Sequence, residues 1–170
     1  MLPAHIGRYE IQRPLSKGGM TSLYLAREPE LDRLVVIKLF KEEYSDDREF
    51  RERFAIEART LIRLQHPNIL SVYQLGEHKG HPFLAMEYID GETLRHRLAR
   101  TPPLTLATGL KIVEDLCAGL ASAHDAGIVH GDIKPDNILI DRQGVVKVFG
   151  FSTPRNVPAT IVGNYSYLSP

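Results

Sequence analysis

The feature that most constrains the fold is a lysine inside an otherwise apolar run. Residues 34–40 read Leu-Val-Val-Ile-Lys-Leu-Phe, a composition that predicts a strand buried on both faces. The lysine, Lys38, has to meet an anion there, because burying an unpaired charge costs several kcal/mol. The alternative is a strand at the sheet edge, from which the amine reaches water.

The next predicted helix supplies an acid. Apolar side chains recur at helical spacing between about residue 50 and residue 64, Asp46 or Asp47 can cap the helix, and Pro67 ends it. Glu57 falls on the apolar face, where a carboxylate needs a partner as much as Lys38 does. We therefore predict a Lys38–Glu57 ion pair.

The remaining periodicities predict a small antiparallel sheet with one helix, followed by a helical half. Residues 89–91 are expected to form a hinge, with a new helix beginning near Thr93. A polar loop at 130–137 and a short hairpin come later. This order indicates an α+β fold with two lobes. The other predicted strands cover residues 9–15, 22–26, 71–76, 82–88, 138–140 and 145–148.

The strongest helical pattern covers residues 105–126. Gly127 follows it and can adopt the left-handed conformation that commonly ends a helix. We expect part of its apolar surface to face water. The side chains predicted to mark one face are Leu106, Leu110, Val113, Leu116, Leu120 and Ala123.

Composition excludes several classes of protein. The 170 residues carry 21 Lys+Arg and 21 Asp+Glu, so nothing indicates electrostatic binding to nucleic acid. The single cysteine, Cys117, cannot form an intramolecular disulfide and suits a reducing compartment. No signal peptide and no apolar run long enough to span a membrane are apparent. We therefore expect a cytoplasmic location.

A glycine-bearing turn between two predicted strands is the first candidate site. Glycines at 18 and 19 let backbone N–H groups approach phosphate oxygens, although an ordinary hairpin turn explains them equally well. A Lys–Glu pair behind such a loop would orient a polyphosphate. The candidate phosphate-binding residues are Leu15, Ser16, Lys17, Gly18, Gly19, Met20, Thr21, Ser22 and Leu23.

The densest chemical signal is the sequence His-Gly-Asp-Ile-Lys-Pro-Asp-Asn at 130–137. Asp132 can orient and deprotonate a hydroxyl group, and Lys134 can neutralise a transferred phosphoryl group. Asn137 can hold a divalent metal ion. A plain polar turn seldom contains this whole series between a long helix and a hairpin.

Together these motifs resemble the bacterial-type Ser/Thr protein kinases. The resemblance covers about residues 8–170 and implies an N-lobe at 8–89 and an incomplete C-lobe at 90–170. Gly163–Pro170 is similar to the end of an activation loop. The other matching motifs are Gly18–Met20, Val35–Lys38, Glu57, His66–Ile69, Met86–Tyr88, Asp90–Leu94 and His130–Asn137.

The resemblance implies an ATP site between the lobes. Leu23, Val36 and Leu139 would enclose the adenine, backbone groups at Glu87 and Tyr88 would bind its edge, and Met86 would be the gatekeeper. Asp132 and Lys134 would be catalytic. An apolar column typical of the active form would contain His130, Phe151, Leu61 and Val72.

One departure from the family affects catalysis directly. The family's Asp-Phe-Gly triplet falls at 150–152, where this chain has Gly-Phe-Ser, so Gly150 replaces the main ligand of the bridging Mg²⁺. Asn137 remains from the metal set, and we expect a weakened Mg²⁺ site and impaired phosphoryl transfer. Gly131 also replaces the arginine that pairs with a phosphorylated activation loop, and Val36 narrows the adenine pocket.

Three interpretations of the function follow. The first is a pseudokinase that binds ATP and acts as a scaffold, in a truncated chain whose missing helices or a partner chain would complete the C-lobe. The second is a working Ser/Thr kinase with a protein substrate, seen as a fragment. The third is a small-molecule phosphotransferase of the kinase-like superfamily, against which Lys134 and the His-Pro-Asn-Ile motif argue.

Overall fold

The computed structural model describes residues 3–17, 21–41, 48–100 and 102–151. Two compact units are present: Met1–Arg63 with Ser71–Tyr88, and Leu64–Leu70 with Ile89–Pro170. Residues 64–70 thus belong with the second unit, whereas the predicted lobe boundary placed them in the first. The cap residues Asp46 and Asp47 lie outside the described ranges.

The first unit is built on a six-stranded antiparallel sheet in the order β1-β2-β3-β4-β6-β5. Five strands lie where the hydrophobic pattern predicted them, and β1 was not predicted. In chain order the strands are β1 (His5–Ile6), β2 (Tyr9–Lys17), β3 (Thr21–Glu28), β4 (Arg33–Phe40), β5 (Val72–His78) and β6 (His81–Glu87).

Each face of this sheet carries its own apolar cluster. On one face Val35 and Ile37 of β4 are fully buried with residues of β2, β3 and β6. On the other, the helix α1 (Arg48–Arg63) packs Phe54 against Phe40, with ring centroids 4.4 Å apart. The prediction that β4 is buried on both faces is wrong at its beginning, because Leu34 is 41% exposed.

A buried acid stands at the end of β3. Glu28 is fully buried, and its carboxylate lies 2.7 Å from Arg8 and 2.6 Å from Arg33. The Arg33 guanidinium also lies over the Tyr73 ring, 3.8 Å from the centroid. Two cations offset the cost of desolvating one carboxylate, so the turn between β1 and β2 is joined by charge to β3 and β4.

The second unit combines helices with a three-stranded sheet in the order β7-β8-β9. Ile112, Ile138 and Val146 form its buried core. The predicted hinge is wrong in one respect, because Gly91 begins a short strand that pairs with β8. The elements are β7 (Gly91–Thr93), α2 (Leu94–Leu98), α3 (Leu106–Asp125), β8 (Ile138–Asp141) and β9 (Val146–Val148).

Helix α3 ends as predicted but buries a different face. Gly127, at φ +74°, donates its N–H to His124 O, and the Ile128 N–H bonds Ala123 O, the hydrogen-bond pattern of a Schellman motif. Part of the predicted apolar face is exposed, as expected. The exposed part contains Leu106, Leu110 and Val113. The buried positions are Ile112, Asp115, Gly119 and Ala123, of which Ala123 belongs to the predicted stripe and the other three do not.

Residues 64–70 are fixed to β9 and α3. Leu70 N–H bonds Val148 O and Val148 N–H bonds Asn68 O, each at 2.9 Å. The Asn68 side-chain amide donates to Val146 O at 3.0 Å. A Cβ added to Gly119 would lie 2.9 Å from the Asn68 carbonyl oxygen, so only glycine permits this approach of α3.

We therefore expect the same substitution at two glycines of α3 to have opposite effects on stability. Gly109→Ala adds a methyl group that meets nothing within 4 Å, and we expect it to raise the free energy of unfolding by about 0.5–1 kcal/mol. Gly119→Ala places its methyl group against the Asn68 carbonyl, so the two backbone segments have to separate. We expect this variant to be about 1–3 kcal/mol less stable than Gly109→Ala. Urea unfolding followed by circular dichroism measures both. Equal effects would contradict the close packing of Asn68 on Gly119.

Candidate active site

Lys38 lies on the face of β4 that also carries Phe40. The cross-strand partners of Lys38 are Leu23 on β3 and Leu84 on β6. Burial lowers the pKa of the Lys38 amine, because desolvation disfavours the charged form. The amine lies 5.6 Å from the Phe40 ring centroid. A lysine in this position gains stability from any anion that reaches it.

The predicted partner, Glu57, is a residue of α1. Its side chain lies outside the described part of the structure, so the Lys38–Glu57 ion pair stays a prediction. The helix is nevertheless fixed on the Lys38 face of the sheet, because Phe54 and Ala58 of α1 pack with Phe40.

The sheet register brings other predicted residues to the Lys38 face. Directly paired residues share a face, and Val36 pairs with Met86 while Leu23 pairs with Lys38. Since positions 36 and 38 of one strand also share a face, all four side chains belong together. The first unit thus presents an apolar surface around the Lys38 amine.

The two arms of the glycine-bearing turn pair up to its tip. Ser16 pairs with Leu23 and Lys17 with Ser22. Leu15 and Thr21 are also strand residues, in β2 and β3. Gly18, Gly19, Met20 and the Lys17 side chain lie outside the described residues, so the phosphate-binding role of the turn stays a prediction.

Glu87, predicted to contact the adenine through its backbone, is already tied to Ser71. Its N–H donates to Ser71 O at 2.9 Å, and its carboxylate accepts the Ser71 N–H at 3.1 Å. A base at this edge would therefore use other backbone groups. Tyr88, the second predicted contact, is the last residue of the first unit.

In the second unit, His130 fixes the start of the polar loop. Its Nδ1 accepts the Asp132 N–H at 3.2 Å, so Nε2 carries the proton and donates to Phe149 O at 3.0 Å. The imidazole is 2% exposed, and burial lowers its pKa. A neutral imidazole in a single tautomer thus joins the loop to the end of β9.

The predicted catalytic residues of this loop are in mutual contact. The Lys134 amine lies 2.7 Å from Asp132 Oδ2, and the Asn137 amide donates to the same oxygen at 2.9 Å and to Asp132 O at 2.8 Å. Within the described ranges no hydrogen bond occupies Asp132 Oδ1. That oxygen can accept a proton from a hydroxyl group. Leu139, the predicted adenine contact, follows on β8.

Gly150 lies against Asn137. Its φ is +79°, and a Cβ at this position would lie 2.9 Å from the Asn137 Oδ1 and Cγ atoms. Any other residue at 150 would strain the backbone and displace the amide that orients Asp132. Glycine is therefore matched to the arrangement of the loop as it stands.

The donor set does not fit a Mg²⁺ ion that bridges phosphates. Such an ion prefers one or two carboxylates besides phosphate oxygens and water. Asn137 offers one amide oxygen, and Gly150 offers no side chain. Among the described residues, no three or more His, Cys, Asp or Glu side chains converge on a metal position.

Each unit holds two residues of the predicted apolar column, and the column as a whole stays a prediction. In the second unit the rings of His130 and Phe151 are in contact, with centroids 4.5 Å apart. In the first unit Leu61 packs against the cluster that contains Val72. The Gly163–Pro170 motif lies outside the described residues.

One ion pair beside the loop was missed by sequence reasoning. Arg95 of α2 donates to Asp136 at 3.0 Å, and this hydrogen bond lowers the pKa of the Asp136 carboxyl group. The signal in the sequence is the run of basic residues at 95–97, which also suits a helix face exposed to solvent. The pair fixes α2 to the 3₁₀ turn Pro135–Asn137.

Comparisons with known proteins agree on one family. The sequence pattern of the family described as "Protein kinase domain" matches residues 9–170. The chain is 42% identical over 171 residues to the serine/threonine-protein kinase PrkC of Bacillus subtilis, covering 96% of this chain and 26% of the relative. It is 39% identical to PknL of Mycobacterium tuberculosis, covering 96% of this chain and 43% of the relative.

A solved structure confirms the fold. The kinase domain of Mycobacterium tuberculosis PknI superposes with a TM-score of 0.78 at 30% identity, over 91% of this chain and 64% of that one. The predicted α+β kinase-like fold with an antiparallel-sheet N-lobe is therefore confirmed. The chain spans less than half the length of the curated relatives named above. Among the helices of the described ranges, none is both long and apolar enough to cross a bilayer.

The neutral state of His130 predicts a pH dependence of stability. Because its folded-state pKa lies below the ordinary 6.5, the unfolded chain binds the proton first as the pH falls. Stability should therefore decrease as the pH drops below about 6.5, and less so in His130→Gln. NMR titration of the imidazole should give a midpoint below 6.5. His96→Gln, at an exposed site, is the control. A midpoint at or above the ordinary value would contradict the burial of the imidazole and its two hydrogen bonds.

Proposed function

Because the chain belongs to the protein kinase domain family, we propose that it binds ATP and transfers phosphoryl groups to protein Ser/Thr poorly or not at all. The observation that carries the proposal is Gly150, which stands against Asn137 with no side chain to hold a metal. The remaining catalytic residues are retained. This combination supports a nucleotide-binding regulatory module, a pseudokinase, over an efficient enzyme.

ATP binding is supported by the first unit. Lys38 is a desolvated cation on a face lined by Leu23, Val36 and Met86. An anion at Lys38 would offset the desolvation that lowers the pKa of the amine, which favours a phosphate group. The flanking apolar side chains suit a purine ring, and Leu139 of β8 is the proposed contact from the second unit.

In a transfer reaction, the Ser/Thr hydroxyl oxygen would bond to the γ-phosphorus of ATP as the bond to the β-phosphate oxygen breaks, giving ADP and a phosphoester. Asp132 Oδ1 would take the hydroxyl proton, and Lys134 would neutralise charge on the phosphoryl oxygens. Asn137 keeps Asp132 in place. The chain lacks a second oxygen ligand for the metal ion. Without a firmly held metal ion the charges of the phosphate groups repel one another, and the phosphoryl-transfer step would be slower.

A working Ser/Thr kinase is the second candidate. It is favoured by the 2.7 Å contact between Lys134 and Asp132 and by the Asn137 hydrogen bonds, since this arrangement serves transfer and is retained in full. The two candidates differ in rate and share the nucleotide site, so the experiments below separate them.

ATP should stabilise the protein with or without Mg²⁺. At 100 times its Kd the nucleotide adds about 2.7 kcal/mol to the free energy of unfolding, which a thermal-shift titration detects. Lys38→Met should abolish the shift. Lys79→Met makes the same change at an exposed turn of the same unit and should leave it intact. No shift in the parent protein would refute ATP binding.

Gly150→Asp should raise phosphate transfer to a generic protein substrate by at least about tenfold, because it adds a carboxylate ligand for the metal. Gly150→Asn is the matched control, since it has the same shape and the same contact with Asn137 but no charge. Both variants should lose stability. Equal transfer by the two variants, or fast transfer by the parent that Asp132→Ala abolishes, would show that Gly150 is not the defect.

A further inference from the structure

The N-terminal segment joins the two ends of the sheet in the first unit. In the strand order β1 stands at one end and β5 at the other. Two hydrogen bonds nevertheless connect this segment to β5, because the Tyr9 hydroxyl donates to Gln74 Oε1 at 2.7 Å and the Gly7 N–H donates to His78 Nδ1 at 3.3 Å. We call residues 4–9 the N-terminal strap.

The N-terminal strap lies on an apolar core. Ile6 and Tyr9 are fully buried in the cluster that contains Phe83 of β6. Gly7 makes a close approach to the same ring, because its φ is +56° and a Cβ at this position would lie 3.2 Å from Phe83 Cζ. This packing fixes the position of the Gly7 N–H, which donates to His78.

The hairpin of β5 and β6 places His78 on the side of the sheet that the strap covers. Both residues of its turn, at 79–80, have positive φ, +52° and +84°, as in the tight turns of antiparallel hairpins. His78 and His81 are paired across this turn, and paired residues share a face. His81 shares its face with Phe83, two positions further on, against which the strap packs. The hairpin register therefore holds the His78 imidazole against the strap.

The surroundings of His78 disfavour its protonation. Burial lowers the pKa of the half-buried imidazole, and the neighbouring charges of Lys79 and His81 lower it further. Glu77, the adjacent acid, lies on the opposite face of the hairpin, where it forms an ion pair with Arg51 of α1.

The N-terminal strap itself carries three ionisable side chains. His5 is exposed. Arg8 lies 2.7 Å from Glu28, and the Tyr9 hydroxyl is bonded to Gln74. None of the three is a carboxylic acid, so the strap offers no counter-charge to a protonated His78.

We propose that His78 is an acid-sensitive latch, which holds the N-terminal strap on the sheet while its imidazole is neutral and releases the strap when the imidazole is protonated. In the neutral ring the proton is on Nε2, and the Nδ1 lone pair accepts the Gly7 N–H. Protonation places a hydrogen on both nitrogens, so that two donors face each other. Since the open strap binds the proton more readily than the closed one, acid shifts the population towards the open strap.

The direction and the consequence of this switch follow from the same contacts. Because the pKa of His78 in the closed strap lies below the ordinary 6.5, the latch is intact above that pH and is lost as the pH falls below it. Release would expose Ile6 and unpair the first residues of β2 from β1. An unpaired strand edge is a site at which another chain can add a strand.

The test is amide hydrogen exchange of the full chain, followed by NMR without nucleotide at about pH 7.5 and about pH 5. After correction for the intrinsic pH dependence of exchange, we expect the protection of the Gly7 amide to fall about tenfold at the lower pH. The Ile37 amide in β4 reports opening of the whole sheet and should change less. The His78 imidazole should titrate with a midpoint below 6.5.

Three variants separate the latch from a general loss of stability. His78→Asn keeps an acceptor oxygen near the Nδ1 position but does not titrate, so the Gly7 amide should stay protected at both pH values. His78→Leu removes the acceptor and should leave that amide weakly protected at both. His5→Asn removes the exposed imidazole of the strap itself, is the matched control, and should behave like the parent.

Several outcomes would overturn the proposal. These are a Gly7 amide that is unprotected at the higher pH or equally protected at both, the same fall in His78→Asn as in the parent, and full protection in His78→Leu. A fall that His5→Asn abolishes would assign the switch to the other imidazole. Because the assay contains no ATP, its failure leaves the proposed nucleotide site unaffected.

Discussion

The Asn137 side-chain amide fixes the conformation of the polar loop at 130–137 in the second unit. Its hydrogen bonds to the backbone and carboxylate of Asp132 close the segment from Asp132 to Asn137, and the Lys134 amine contacts the same carboxylate oxygen. His130 fixes the other end of the segment through Asp132 N–H and Phe149 O. Because Gly150 lies against the same amide, the loop geometry and the identity of residue 150 are physically coupled.

The two units contribute different chemical groups to the proposed reaction, a cation from the first and an acid from the second. The first supplies a desolvated cation, Lys38, on an apolar face whose register is set by pairing with β3 and β6. The second supplies an acid, Asp132, whose position depends on hydrogen bonds. A cation held by strand packing survives changes in nearby loops, whereas a hydrogen-bonded acid is sensitive to a single substitution next to it. From this asymmetry we expect that mutations can remove the proposed phosphoryl transfer without removing the proposed nucleotide binding.

Much of this arrangement could be predicted from the sequence. The strand around Lys38, the ends of α3 and the loop at 130–137 all have local signals, namely an apolar run, a glycine cap and a dense series of polar residues. What was missed depends on partners distant in the chain. The strands β1 and β7 are too short for periodicity, and Glu28 is buried only because Arg8 and Arg33 meet it. The buried face of α3 was wrong because Asn68 selects Gly119 as its contact.

The fit between Gly150 and Asn137 has a consequence for how such a chain evolves. Aspartate and glycine codons can differ by one nucleotide, so the metal ligand is genetically close. Yet a Cβ at 150 would lie 2.9 Å from an amide that is itself hydrogen-bonded, and the backbone there is left-handed. A revertant would therefore regain its carboxylate at a cost in stability. A second substitution nearby that relieves the contact with Asn137 would remove that cost, so we expect the two changes to be favoured together.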